Sequence, residues 1–148
     1  MNSKSILLVD DHENSTQALE AIIRKAGHTS VLRADGADNA WVMMKQHPID
    51  CVVCAYQMKE MSGLALLKIA RREDGLSELP FFLTDDAFTK IKVLKAGQSG
   101  VTGLFVIPYD EAAIKRKIES ALNQDEDPVI QDVKKSFEKG LALIENGE

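Results

Sequence analysis

The sequence predicts an α/β fold in which one parallel β-sheet is covered by helices on both faces. Two observations predict it. Short apolar runs such as residues 51–55, C-V-V-C-A, are too short for a buried helix and are typical of strands covered on both faces. Amphipathic segments with helical spacing alternate with these runs, so that five strand–helix units follow one another. Such units form parallel sheets through right-handed crossover connections.

The boundaries of the predicted elements come from the apolar pattern and from turn and capping residues. Gly27 and Gly97 are placed to end the first and fourth helices, whereas Ser62 and Asp110 are placed to cap the third and fifth. Five strands suit the flavodoxin-like strand order 2-1-3-4-5. The predicted elements are strand 5–10, helix 13–26, strand 29–33, a helix from 35–36 to before Pro48, strand 51–55, helix 62–72, strand 79–84, helix 88–96, strand 103–107 and a helix after Asp110.

Composition and charge exclude several classes of protein. The chain has 148 residues, 45% of them hydrophobic and 28% charged, which is typical of one globular domain. Its net charge of −5 argues against a nucleic-acid-binding surface, since phosphate contacts draw on clustered lysine and arginine. The apolar run near the N-terminus is too short for a signal peptide or a membrane span. We therefore expect a cytoplasmic protein that binds neither nucleic acid nor membrane.

The character of the sequence changes after Asn123, which predicts a domain over residues 1–123 and an appendage over residues 124–148. The appendage begins as an acidic linker, and residues 129–144 then carry an apolar stripe that predicts a sixth helix. This stripe is expected to pack on the domain or on a second copy of the chain. The segment F-E-K-G-L-A-L-I-E-N-G also resembles the first helix of a tetratricopeptide repeat, which would make the chain the front part of a longer protein.

Cys51 and Cys54 form a C-x-x-C sequence, but both lie inside a predicted strand. Residues three apart on a strand point to opposite faces, so the two thiols are not placed to form a disulfide or to share a metal ion. We interpret both as core-filling residues.

Residues with functional potential follow four of the predicted strands. Open α/β sheets bind their ligands at the carboxyl ends of the strands. The four sets are Asp10-Asp11 after strand one, Met58, Met61 and Gly63 in the loop after strand three, Thr84 at the end of strand four, and Pro108-Tyr109 after strand five. Together they resemble the receiver domain of two-component response regulators, and the resemblance covers about residues 3–123.

The resemblance implies a role for each position of the site. The paired acids of the family, which help to hold a magnesium ion, are matched by Asp10 and Asp11. The phosphoacceptor aspartate falls on Ala55, and the lysine that contacts it falls on Ile107. The switch-like positions are Thr84 for the hydroxyl, Leu104 for the aromatic residue, and Tyr109.

The two losses are physically consistent with each other. Phosphoryl transfer to a side chain needs a nucleophile, a metal ion and a cation over the transferred group. Ala55 removes the nucleophile and Ile107 the cation, and a lysine left there without its carboxylate would cost about 3–5 kcal/mol. With only Asp10 and Asp11 as carboxylates, we expect weak or no Mg²⁺ binding and no other cofactor. Lys59, which replaces the usual proline of the loop, is expected to offset part of their charge.

The leading hypothesis is a pseudo-receiver, a protein-interaction module that works without phosphorylation and is not an enzyme. One alternative is a receiver that is phosphorylated at Asp10 or Asp11. Another is a small-ligand-binding flavodoxin-like domain, although the acidic D-D-H-E-N-S after strand one differs from a loop that binds a flavin phosphate. A second copy of the chain, in a homodimer, is a further candidate partner. The resemblance implies a partner surface on helix four, strand five and helix five that includes Lys90, Lys92, Leu104 and Lys115.

Overall fold

The structure, a computed structural model, describes residues 4–123. These residues form five β-strands that alternate with five α-helices, as the sequence predicts. In chain order the elements are β1 (Ser5–Val9), α1 (Glu13–Lys25), β2 (Ser30–Ala34), α2 (Ala37–Gln46), β3 (Cys51–Ala55), α3 (Gly63–Arg72), β4 (Phe81–Asp85), α4 (Lys90–Gln98), β5 (Gly103–Val106) and α5 (Glu111–Leu122).

The five strands are parallel and lie in the order β2-β1-β3-β4-β5, which confirms the predicted flavodoxin-like topology. β3 is therefore the central strand, and β2 and β5 are the two edge strands. The register aligns Val9 with Cys54 and Ala55 with Thr84, so the strands end together. Because the strands are parallel, the loops after β1, β3, β4 and β5 meet at the same edge of the sheet.

The two faces of the sheet are buried against different helices. α1 and α5 cover one face, whereas α2, α3 and α4 cover the other. β3 is buried along its whole length, which explains its continuous apolar run, because a strand with helices on both faces has no solvent side. The largest fully buried side chains are Ile6, Leu7, Leu8, Ile23, Leu66, Leu67, Phe81, Phe82, Leu83, Ile114 and Ile118.

Both cysteines are completely buried, and they belong to opposite layers of the core. Desolvation raises the pKa of the Cys51 and Cys54 thiols, so neither forms a reactive thiolate near neutral pH. The interpretation of the two residues as core-filling is confirmed.

The predicted capping residues of α3 and α5 are confirmed. The Ser62 hydroxyl accepts a hydrogen bond from the backbone N–H of Ala65 at 3.1 Å, and the Asp110 carboxylate accepts one from Ala113 at 3.2 Å. Each bond satisfies a donor that the first helical turn otherwise leaves unpaired.

Several predicted boundaries differ from the structure by one or two residues, and two of these differences concern the fourth strand and the fourth helix. Gly97 does not end α4 but is buried inside it, and the chain turns only at Gly100, whose positive φ of 88° suits glycine. β4 continues one residue beyond Thr84 and ends at Asp85. Both errors arise because a glycine or a polar residue was taken as a boundary, whereas tertiary packing extended the element past it.

The predicted sixth helix over residues 129–144 and its tetratricopeptide-like segment lie outside the described residues, as does the acidic linker. None of the helices in the described part of the chain is both long enough and apolar enough to span a membrane.

Candidate functional site

Asp10 and Asp11 directly follow β1, and their side chains are only 11% and 14% exposed. Asp10 Oδ1 accepts a hydrogen bond from the backbone N–H of His12 at 2.9 Å, which shapes the turn into α1. His12 Nδ1 lies 3.2 Å from Asp10 Oδ1 and 2.8 Å from Asp11 Oδ1. The three residues offer one ligand atom each within 4.8 Å of one another, so they could hold a metal ion.

The loop after β3 reaches back to Asp11. The backbone N–H of Lys59 donates to Asp11 Oδ2 at 2.8 Å, so this contact of Lys59 is made by its main chain rather than by the ammonium group that the sequence suggested. Asp11 Oδ1 is buried and accepts no backbone hydrogen bond among the described residues, and its polar neighbour is His12 Nδ1 at 2.8 Å. A carboxylate oxygen with so few donors is a place for a cation or a water molecule. Two carboxylates fit a weakly held Mg²⁺, which keeps several waters when few protein ligands bind it.

Ala55 lies at the tip of β3 and is 8% exposed. Its methyl group offers neither a nucleophile nor a metal ligand. α3 begins close against it: the backbone N–H of Gly63 donates to the carbonyl of Tyr56 at 2.9 Å, and a Cβ at Gly63 would collide with the carbonyl oxygen of Ala55. Gly63 is therefore required by this close approach, and Ala55 adds no reactive side chain beside it.

Thr84 and Leu104 are both buried next to this site. The register places Thr84 between Ala55 on β3 and Phe105 on β5, and its carbonyl accepts a hydrogen bond from the N–H of Tyr56 at 2.8 Å. Leu104 is 9% exposed and belongs to the core layer under α2, α3 and α4. The switch-like roles assigned to these two positions remain predictions.

Ile107 and Tyr109 lie on either side of Pro108, which follows a cis peptide bond. The N–H of Ile107 donates to the carbonyl of Asp85 at 2.9 Å, and its side chain carries no charge. The hydroxyl of Tyr109 lies 3.3 Å from Ser15 Oγ, and the ring packs on the layer formed with α1 and α5. Tyr109 therefore links the loop after β5 to α1.

The sequence prediction missed Asp85, which is 6% exposed and is the one buried carboxylate in the part of the chain that the structure describes. Lys92 Nζ lies 2.6 Å from it, Gln57 Nε2 lies 3.2 Å away, and the N–H of Asp86 donates at 2.9 Å. Burial opposes ionisation of Asp85, but these hydrogen bonds, foremost the one from Lys92, hold its pKa below the ordinary value. The available signal was a pair of aspartates after an apolar strand, the same pattern that identified Asp10-Asp11.

Two of the four residues expected on the partner surface are not displayed on it. Lys92 points inward to Asp85, and Leu104 is buried, whereas Lys90 and Lys115 are exposed. The same region instead exposes three apolar side chains. They are Ile91 at 64%, Leu94 at 42% and Val106 at 53%.

A cavity of about 340 Å³ opens beside Asp11, between the loop after β3 and the start of α2. Its lining includes the carboxylates of Asp11, Asp35, Asp38 and Glu60, and Lys59 is the one cationic residue among the lining residues. A lining with this excess of carboxylates repels a phosphate-bearing ligand. The cavity therefore does not favour a cofactor of the flavin nucleotide type.

A family model and similar known proteins point to the same family. Residues 6–119 match the family model described as the response regulator receiver domain. The chain is 30% identical over 114 residues to the chemotaxis protein CheY of Pseudomonas aeruginosa, covering 77% of this chain and 92% of that protein. It is 31% identical over 114 residues to the chemotaxis protein CheY-3 of Vibrio cholerae, covering 77% of this chain and 88% of the relative.

Solved structures show the same fold. The chemotaxis protein CheY4 of Vibrio cholerae superposes with a TM-score of 0.75 at 19% identity, covering 80% of this chain and 98% of that one. A receiver domain of a sensor histidine kinase from Pseudomonas aeruginosa gives a TM-score of 0.75 at 16% identity, covering 83% of this chain and all of its own. That structure holds a magnesium ion coordinated in its active-site cleft.

Proposed function

Because the chain belongs to the response regulator receiver domain family, we propose that it is a phosphorylation-independent receiver, a pseudo-receiver that acts as a protein-interaction module in two-component signalling. The observation that carries this proposal is Ala55. It stands at the tip of the central strand, next to Thr84 and against Gly63, where the family resemblance puts the phosphoacceptor. A methyl group at this place accepts no phosphoryl group.

The residue after β5 supports the same proposal. A phosphorylated carboxylate needs a cation to neutralise the transferred group, and Ile107 supplies none. The two losses remove both partners of one ion pair, which avoids leaving a charge unpaired in a partly buried site. We propose that the domain has no catalytic activity and no resident cofactor beyond weakly held Mg²⁺ at Asp10 and Asp11.

The proposed role depends on surfaces rather than on chemistry. Ile91, Leu94 and Val106 are exposed apolar side chains on α4 and β5, and we propose that a protein partner or a second copy of the chain covers them. We also propose a cytoplasmic location, without binding to nucleic acid or membrane. This location rests on membership of the receiver family.

One specific observation favours a second candidate function, phosphorylation at Asp11. Asp11 Oδ1 is buried and accepts no backbone hydrogen bond among the described residues, whereas Oδ2 accepts the N–H of Lys59. His12 lies against both carboxylates: its N–H donates to Asp10 Oδ1, and its Nδ1 lies 2.8 Å from Asp11 Oδ1. Without a lysine at position 107, neither carboxylate has the cation that the family uses.

Treatment with acetyl phosphate and Mg²⁺, followed by intact-mass measurement, tests the proposal. The wild-type chain is expected to gain no phosphoryl group, and beryllofluoride is expected to leave its amide NMR spectrum unchanged. The matched positive control is the double variant Ala55→Asp/Ile107→Lys, which restores nucleophile and cation and is expected to accept one phosphoryl group. Stoichiometric phosphorylation of the wild type would contradict the proposal, and loss of that signal in Asp11→Asn would support the second candidate.

A further inference from the structure

Asp85 is a buried charge that the proposed function does not use. It ends β4, and its 6% exposure makes it nearly inaccessible to solvent. An ionised carboxylate in such a place is strongly destabilising unless donors surround it. The groups that donate hydrogen bonds to the Asp85 carboxylate therefore show which segments of the chain it connects.

The donors come from three different segments. Gln57, in the loop after β3, places Nε2 at 3.2 and 3.3 Å from the two oxygens of the carboxylate. Asp86, at the start of the loop after β4, donates its N–H to Oδ1 at 2.9 Å. Lys92, in the first turn of α4, places Nζ 2.6 Å from Oδ2. One carboxylate thus links two loops and a helix.

The ammonium group of Lys92 is held from several sides. It lies 5.2 Å from the centre of the Tyr56 ring, which favours a cation, and 3.5 Å from the carbonyl oxygen of Ala87. Tyr56 in turn makes an edge-to-face contact with Phe88, with the ring centres 6.1 Å apart. The Lys92 side chain is 27% exposed, so water screens this ion pair only in part.

The rest of α4 is not buried evenly. Its two buried residues, Ala96 and Gly97, both lie near the C-terminal end of the helix. At the N-terminal end, Ile91 is 64% exposed, and Val93 is only partly buried. The position of the first turn of α4 therefore depends heavily on the contact between Lys92 and Asp85.

We propose that Asp85 is a built-in anion that anchors the first turn of α4 through Lys92 and so holds the exposed surface of Ile91 and Leu94 in one conformation. This inference rests on the proposed function, because it takes the exposed apolar side chains of α4 as part of the surface that a partner covers. Asp85 is then a positioning residue: it acts on the partner surface through Lys92 and touches no partner itself.

Amide hydrogen exchange of the full chain, read over residues 86–98, tests the proposal. Lys92→Met keeps the length of the side chain and removes its charge, and Asp85→Asn keeps the shape of the carboxylate. Each is expected to speed exchange over residues 86–98 by roughly tenfold or more, while exchange in β1 and β3 stays as in the wild type. Lys95→Met is the matched control, since Lys95 is exposed on the same helix, and it is expected to change nothing.

The double variant Asp85→Asn/Lys92→Met tests whether the two side chains stabilise α4 as one ion pair or act independently. Its exchange is expected to match that of the Lys92→Met variant, because the first substitution already removes the ion pair and the second removes no further interaction between the two residues. Additive effects of the two substitutions would overturn the proposal, as would unchanged exchange in Lys92→Met or an increase spread evenly over the whole domain.

Addition of beryllofluoride and Mg²⁺ to the wild type distinguishes failure of this inference from failure of the proposed function. If beryllofluoride changes exchange over residues 86–98, the domain responds to a phosphate mimic and the proposed function fails, whatever the variants show. If beryllofluoride has no effect and Lys92→Met also has none, only the anchoring role of Asp85 is overturned.

Discussion

Single side chains determine which chemical groups are available at the carboxyl edge of this sheet. Asp10 and Asp11 bring two carboxylates to it, and Ala55 brings a methyl group where the resemblance to the receiver family predicts a third carboxylate. The N–H of Lys59 donates to one oxygen of Asp11, while the other oxygen lies 2.8 Å from the ring nitrogen Nδ1 of His12. This set of groups suits a hydrated cation better than it suits transfer of a phosphoryl group.

At this scale the strongest steric constraint is Gly63. Substitution Gly63→Ala is expected to destabilise the domain by about 1–3 kcal/mol, because the new Cβ meets the Ala55 carbonyl and the backbone has to move. Urea denaturation followed by circular dichroism measures this change in the free energy of unfolding.

Gly36→Ala is the matched control for that measurement. Gly36 is extended, with φ of −178°, and a Cβ there meets nothing within 4 Å, so a change of less than about 1 kcal/mol is expected. Equal losses in the free energy of unfolding for the two substitutions would show that the close approach of α3 to β3 does not make Gly63 necessary.

At the scale of elements, β4 and α4 are coupled through one buried ion pair. Hydrogen bonds from Lys92, Asp86 and Gln57 hold the pKa of Asp85 below its ordinary value, despite burial, and the bond to Asp85 raises the pKa of Lys92. A carboxyl group whose pKa is lower in the folded state contributes stability above its unfolded pKa, and this contribution is lost as the pH falls through the folded pKa.

We therefore expect Asp85→Asn to lower the free energy of unfolding by about 1–3 kcal/mol at pH 7, where the wild-type carboxylate is ionised. The difference between wild type and variant is expected to shrink as the pH falls below about 4, because protonation then removes the same charge from the wild type. Urea titrations at a series of pH values measure it.

The control for the pH series is Asp74→Asn, which removes an exposed carboxylate from the loop between α3 and β4. It is expected to change stability by less than about 0.5 kcal/mol at every pH. A difference between wild type and Asp85→Asn that stays constant down to pH 3 would contradict the role of the ionised carboxylate.

At the scale of the whole molecule, the sheet and its two helical layers are complete within residues 5–122. The family match covers residues 6–119, and the boundary of the domain near residue 123 stays a prediction. The exposed apolar residues Ile91, Leu94 and Val106 lie on one side of this domain, on α4 and β5, so partner binding is expected to leave the core unchanged.

A chain that ends at Asn123 is therefore expected to fold on its own and to unfold cooperatively in urea, because it keeps all five strands and five helices. The matched control is a chain that ends at Glu119. It loses the buried Ala121 and the packed Leu122, so it is expected to be less stable by about 1–3 kcal/mol. Aggregation or unfolding of the chain that ends at Asn123 would contradict an independent domain over residues 1–123.

The sequence by itself determined the class of the fold, the strand order and most element boundaries. Their signals are local or nearly so: apolar runs report strands buried on both faces, and Ser62 and Asp110 cap the helices that follow them. The resemblance to the receiver family assigns Ala55 to the phosphoacceptor position and Ile107 to the lysine position, counted from Gly63 and Pro108, and these two assignments stay predictions.

Only the tertiary structure decided which polar groups become partners. It buried Asp85 and turned Lys92, which the sequence analysis assigned to an exposed surface, inward onto it, and it made the main chain of Lys59 the contact of Asp11. It also carried α4 through Gly97, because that glycine is buried within the helix. These outcomes depend on groups that are distant in sequence and meet only when parallel strands align, and no local pattern contains that alignment.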